Sequence, residues 1–279
     1  MASAFAQRGW APTRRRTWFS VPHGQEQVDR SYNRDYLTAH FQLLTSMNIA
    51  ILNLSSPDPD FDQFGPASTI IRQWIAPHFS EASFSELAIS CGTALPAPDD
   101  YQGYILSGSE KGVYDDAIWM EPLSEFLINL KAAKIPVFGI CFGHQIMAAT
   151  FGGSAANADK GFVVGAKEYN HNGQQFAAHA MHRDQVIDIP SGATVTASTA
   201  YCPVAALSYD FPAQSVQFHP EFQRPLVEAA INIFENDLID SAEAKVARES
   251  IGKINVPTDL YARECAQFFR DSLARKTET

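Results

Sequence analysis

The stretch Gly139-Ile-Cys-Phe-Gly-His-Gln-Ile-Met147 decides how this chain of 279 residues is read. Upstream of the cysteine, Ile135-Pro-Val-Phe-Gly-Ile140 is short, apolar and β-branched, the pattern of a buried strand. Downstream, His144 to Thr150 consists of good helix formers and runs into Gly152-Gly153, a helix stop. Cys141 therefore sits on a strand-to-helix corner with a glycine two places to either side. Such a corner holds its side chain out of the turn, and the glycines let neighbouring backbones pass without Cβ clashes. This is the nucleophile-elbow arrangement of Gly-x-Ser-x-Gly with sulfur in place of oxygen. A helix N-terminus aimed at the sulfur favours thiolate over thiol. A free cysteine is more often an inert core residue, but the glycine framing would then have no packing purpose.

A thiolate needs a base. Gln214-Ser-Val-Gln-Phe-His-Pro-Glu-Phe222 alternates and stops at Pro220, which places His219 at the carboxyl end of a strand. Glu221 lies two residues on, on the same side of an extended backbone. A carboxylate there can accept the imidazole N–H, fix the tautomer and leave the other nitrogen for sulfur. His182 and Asp184, in His182-Arg-Asp-Gln-Val186, have the same spacing and taken alone could be the base and its orienter. His219 is preferred because it alone follows a strand. Two strand ends on one edge of a parallel sheet can bring cysteine, histidine and glutamate together, where open α/β sheets place their sites.

Taken together, Gly139-Ile-Cys-Phe-Gly-His-Gln145 and Phe218-His-Pro-Glu221 resemble the class I (triad-type) glutamine amidotransferase family, over about Met47 to Phe222. Tyr104-Ile-Leu-Ser-Gly-Ser109, a strand entering a tight glycine turn, stands where that family has the loop completing its oxyanion hole. Synthase-linked members usually carry Gly-Gly-Pro there; Ser107-Gly-Ser109 departs from this but keeps the oxyanion glycine. Tyr114-Asp-Asp-Ala-Ile-Trp119 is similar to the stand-alone branch that includes plant γ-glutamyl peptidases. The resemblance implies a flavodoxin-like α/β fold, an open and mostly parallel sheet flanked by helices. It implies Cys141 as nucleophile, His219 as base, Glu221 as its orienter, and backbone N–H groups of Gly108 and Phe142 as the oxyanion hole. It also implies Gln145 as a substrate-steering side chain, with His182 and Asp184 in a loop beside the amino-acid end of the substrate. The implied reaction needs no cofactor.

From Met47 onward strand-like and helix-like runs alternate in the α/β manner. Strands are expected at Asn48–Leu54, Ala88–Cys91, Gly103–Leu106, Ile135–Ile140, Thr194–Ala197, Ala205–Tyr209 and Ser215–Phe218. Helices are expected at Pro66–Ala76, Pro122–Ala133 and His144–Thr150, with a hairpin turning at Asn172-Gly173. After Phe222 the pattern is helical. The expected organisation is an N-terminal extension (1–46), a catalytic domain (47–223) and a C-terminal helical segment packed on it (224–279).

Charge and cysteines narrow the classes. The net charge of −10 argues against a nucleic-acid surface. No apolar stretch is long enough to span a bilayer. Cys91, Cys141, Cys202 and Cys265 are scattered without a Cys-x-x-Cys pair, which suits a reducing, cytoplasmic compartment rather than a disulfide scaffold. The eight histidines show no ligand spacing, so no metal is expected. The first 46 residues hold six arginines against three acids, in contrast to the acidic remainder. Arg14-Arg-Arg-Thr-Trp-Phe19 is followed by polar residues, not by the apolar segment of an export signal.

Three functions follow. The chain cleaves or transfers at the γ-glutamyl amide of glutamine or a γ-glutamyl compound, it supplies ammonia to a separate synthase partner, or it keeps the fold as a non-catalytic binding module.

Overall fold

The computed structural model describes residues 47–277; the expected extension over 1–46 lies outside the described residues. In chain order the elements are β1 (Met47–Asn53), α1 (Ala67–Ile75), β2 (Ala82–Ala88), β3 (Gly103–Leu106), α2 (Met120–Ala132), β4 (Val137–Ile140) and α3 (Phe142–Thr150). Seven strands follow: β5 (Ser154–Asn157), β6 (Val163–His171), β7 (Gln174–His182), β8 (Asp184–Asp188), β9 (Ala193–Thr199), β10 (Cys202–Tyr209) and β11 (Ala213–Val216). The described chain ends in α4 (Arg224–Phe234), α5 (Ser241–Lys253) and α6 (Thr258–Thr277).

Nine strands form one open sheet in the order β2-β1-β3-β4-β11-β10-β9-β6-β7. The five strands from β2 to β11 are parallel, and the rest extend the sheet antiparallel as far as the β6–β7 hairpin at its edge. This is the flanked, flavodoxin-like α/β class that the sequence implies.

Both faces of the parallel half are apolar because its strands alternate between two helical layers. Ile49, Ile51, Ile105, Phe138 and Ile140 point to one face, under Trp74 and Ile75 of α1 and Tyr261, Cys265 and Phe269 of α6. Ala50, Leu52, Tyr104, Leu106 and Val137 point to the other, under Leu123 and Leu127 of α2 and Phe142, Ile146 and Met147 of α3. The C-terminal stripe Tyr261, Cys265, Phe268 and Phe269 is thus main core. Helices α4 and α5 cover the hairpin instead, with Leu226, Val227, Ile231, Ala247 and Ile251 against Val164 and Ala166.

Two local expectations need correction, and one small sheet was not expected. Ala88–Cys91 is not a strand: the strand is β2, and Ile89–Cys91 turns as a short 3₁₀ helix. As an edge strand β2 has a polar sequence, and its Glu86 carboxylate accepts bonds from Ser68, Thr69 and Arg72 at 2.8, 2.6 and 2.6 Å. β5 and β8 form a small separate antiparallel sheet that their composition does not announce. Finally, β11 ends at Val216 rather than running to Phe218. Beyond it the backbone leaves β4, as Gln217 N–H donates to Ala205 O and His219 N–H to His179 O, each at 2.8 Å.

The two glycines framing Cys141 are required by close approach. A Cβ at Gly139 would lie 2.6 Å from both Gly143 O and Met147 Sδ, and one at Gly143 would lie 2.8 Å from Leu106 Cβ. At Gly252, within α5, an added Cβ meets nothing within 4 Å. We predict that Gly143→Ala lowers stability by about 1–3 kcal/mol through overpacking, whereas Gly252→Ala is neutral or stabilising by up to about 1 kcal/mol. Chemical denaturation of the two variants checks this, and equal midpoints would contradict it.

Candidate active site

Cys141 stands between β4 and α3 with φ 52° and ψ −104°, outside the conformations a non-glycine residue adopts freely. Such strain costs on the order of 1–3 kcal/mol and persists only where its surroundings over-determine it. Here Cys141 N–H donates to Val216 O at 2.8 Å, Gly143 N–H to Ser107 O at 3.2 Å and Gln145 N–H to Cys141 O at 3.1 Å. His144 pins the same turn: its Nε2 donates to Val204 O at 3.1 Å and its Nδ1 accepts from Ser215 Oγ at 2.8 Å. Burial pushes the pKa of His144 down to about 4, so it is neutral and serves packing.

His219 reaches the site from beyond β11, next to β4. Its Nδ1 donates to Glu221 Oε1 at 2.7 Å, and both side chains are almost fully buried. Burial alone would lower the pKa of His219, but the Glu221 carboxylate and then Cys141 outweigh it and raise it to about 10. The other ring nitrogen, Nε2, is buried with no hydrogen-bond partner among the described residues. The point where Gly108 would carry a Cβ lies 3.1 Å from His219 Cε1, 3.9 Å from His219 Nε2 and 3.5 Å from Cys141 Cβ. Three adjacent strand ends, those of β3, β4 and β11, thus converge on one spot. Gly108 is held there from behind, its carbonyl accepting from Ser55 Oγ and Ser107 Oγ, both at 2.8 Å.

A profile for the glutamine amidotransferase class-I family matches residues 80–240. The chain belongs to this family. It is 28% identical to γ-glutamyl peptidase 3 of Arabidopsis thaliana over 188 residues, 62% of this chain and 76% of the relative. It is 34% identical to one subunit of a glutamine-hydrolysing GMP synthase from Methanopyrus kandleri over 115 residues, 36% of this chain and 59% of the relative. A glutamine amidotransferase from Thermotoga maritima shares the fold, with a TM-score of 0.63, 18% identity and coverage of 84% of this chain and 99% of that one. Membership makes the chain an enzyme of the amidohydrolase type.

The rival His182 in this amidotransferase domain also ends a strand, β7, so strand position does not set the two histidines apart; their partners do. His182 Nδ1 donates to the backbone carbonyl of Asp184 at 3.1 Å rather than to its carboxylate. Burial, then the neighbouring His219, pushes the pKa of His182 down to about 3. The Asp184 carboxylate instead faces the loop over 109–116, where a Cβ on Gly112 would come within 2.9 Å of its Oδ2. Its Oδ1 is buried without a partner among the described residues. The Gln145 side chain borders the cavity, but its amide N–H groups are committed to Asp184 O at 3.0 Å and Gln217 Oε1 at 3.2 Å.

Two residues at the site escape the sequence reading. The Gln217 amide donates to Cys141 Sγ at 3.7 Å; its place two residues before His219, on the same side of the chain, was the available signal. The His179 ring donates to Phe222 O at 2.9 Å, holding the segment that carries His219 and Glu221. Nothing local distinguishes it from an ordinary strand histidine.

The paired carboxylate makes a signed prediction. A histidine whose folded pKa is raised contributes stability that is present below its unfolded value and lost as pH rises through the folded one. Here that window runs from 6.5 to about 10. Glu221→Gln should move the His219 imidazole titration, followed by NMR, to lower pH by about 1–3 units. It should also flatten the loss of stability across the window. An unchanged titration would show that Glu221 does not hold the imidazolium.

Proposed function

We propose that the chain cleaves γ-glutamyl amides through a thioester on Cys141. The observation that carries this reading is the convergence at Gly108, where the cysteine and the glutamate-paired histidine face one glycine turn. Cys141 Sγ attacks the side-chain carbonyl carbon with its proton already resting on His219 Nε2, the ring whose pKa is raised. The oxyanion that forms is met by the backbone N–H groups of Gly108 and Phe142, the latter in the first turn of α3. Collapse expels the amine, which takes its proton from His219. Water, deprotonated by the same ring, then cleaves the thioester and releases glutamate. Glu221 keeps the imidazole in the Nδ1–H tautomer and stabilises its charged form.

The polar side chains around Asp184 suit the amino-acid end of the substrate. The unpartnered Asp184 oxygen is an acceptor for its ammonium group, and Arg183 borders the same cavity as a cation for its carboxylate. Gln145 acts by fixing Asp184 and Gln217. His182, neutral and packed on Tyr201 with ring centroids 5.9 Å apart, shapes this end and transfers no proton.

The likeness to a component of a synthase supports a second reading, in which the chain feeds ammonia to a separate synthase. Turnover by the isolated chain separates the two: we expect hydrolysis of γ-glutamyl dipeptides without a partner, and faster than of glutamine. Activity that arises only with an added synthase favours the ammonia-donor reading.

Substitutions test the roles. Cys141→Ala and His219→Asn should each lower kcat by about 10³-fold or more, with Glu221→Gln milder. His182→Asn should mainly raise KM. Iodoacetamide should label Cys141 ahead of the exposed Cys91. Near-normal turnover in Cys141→Ala excludes the mechanism.

A further inference from the structure

The cavity in front of Cys141 has a volume of about 1050 Å³, more than a γ-glutamyl group can fill. Pockets of about 300–1,000 Å³ accept whole drug-sized ligands, so a large part of this one is left for what lies beyond the scissile amide. Its lining combines polar and aromatic side chains. Around Asp184 it is polar, with Arg183, Gln145 and Tyr114. The same cavity is lined by Phe61, Phe162, Phe222, Leu226, Phe234 and Leu238.

These apolar side chains form a connected wall that begins at the proposed proton donor. The Phe222 ring lies flat on His219, with centroids 3.9 Å apart and planes 6° from parallel. Phe222 and Leu226 belong to one core cluster, against which Phe162 and Phe234 pack while only partly buried. Phe234 then meets Phe162 at 5.0 Å, edge to face, and Phe61 at 6.0 Å. Partly exposed aromatic rings gathered around a cavity supply apolar area and edge-to-face partners for another ring.

Direction links this wall to one part of the substrate. The leaving nitrogen takes its proton from His219, so the leaving group departs on the side of that ring. The Phe222 ring covers one face of that imidazole. Charge narrows the chemistry of the leaving group, because Asp58, Asp62 and Glu110 outnumber Lys111 along the cavity border and disfavour an anionic one.

On the reading above, we propose that the substrates are γ-glutamyl amides of uncharged, aromatic amines, the amine's ring lodging among Phe61, Phe162 and Phe234. The reaction balances as amide plus water giving glutamate plus the free arylamine, the C–N bond breaking as the thioester forms.

The test compares the full chain on γ-glutamylanilide, γ-glutamylglycine and glutamine, with Phe234→Ala and Phe61→Ala beside the unmodified protein. Phe61 lies in a short surface helix with no buried residue, so its variant keeps the fold if Phe234→Ala does not. We expect kcat/KM for the anilide to exceed that for γ-glutamylglycine by about tenfold to a hundredfold. Each variant should reduce this ratio by about tenfold, with thermal melts confirming folded protein. A ratio near one, or a ratio untouched in a folded variant, overturns the aromatic assignment while turnover of the other substrates leaves the proposed function standing. Silence on all three compounds overturns both.

Discussion

The structure turns on one steric constraint, the passage of the first turn of α3 across β3 and β4 with no room for a Cβ at Gly139 or Gly143. Because the backbones touch, the corner between β4 and α3 must be abrupt, and Cys141 takes up the bend in a left-handed φ. The strain is local and its support is distributed. Ser107 and Val216 clamp the backbone from the two neighbouring strands, and His144 ties the helix to β10 and β11 from beneath. An apolar sandwich of α1 and α6 on one face and α2 and α3 on the other keeps the parallel strands in register. The core thereby stabilises a conformation that the cysteine would not adopt alone.

The remaining chemistry is assembled around that fixed sulfur. β3 and β11 flank β4, so the glycine turn after one and the histidine segment after the other arrive without further design. The His219–Glu221 pair is nearly dry, and a dry ion pair needs its geometry held. The hairpin strand β7 does this through the His179 backbone and ring, which bond to His219 and Phe222. The antiparallel extension therefore contributes to the site even though the residues proposed to react lie in the parallel half and just beyond it.

Much of this was legible in the residues. The glycine spacing around Cys141, the apolar strand before it and the His-x-Glu spacing after a strand each encode a local geometry, and local geometry survives folding. Less legible were features set by distant neighbours. The edge strand β2 reads as polar because Glu86 serves α1, and β5 and β8 are strands only because each supplies the other's partner. His182 and His219 look alike by spacing; they differ because the ring of one finds a backbone carbonyl and the ring of the other a carboxylate. Gln217 and the aromatic wall came into view only when the chain brought Phe61, Phe162 and Phe234 together from three separate segments.

The central claim is a covalent γ-glutamyl intermediate on Cys141, and rapid acid quenching during turnover of a γ-glutamyl substrate tests it most directly. Peptide mass spectrometry of the quenched protein should find one γ-glutamyl acyl group on the peptide containing Cys141, removed by hydroxylamine and absent from the peptides of Cys91, Cys202 and Cys265. Steady turnover with the acyl group on another residue, or turnover that persists when Cys141 is alkylated, would contradict the account.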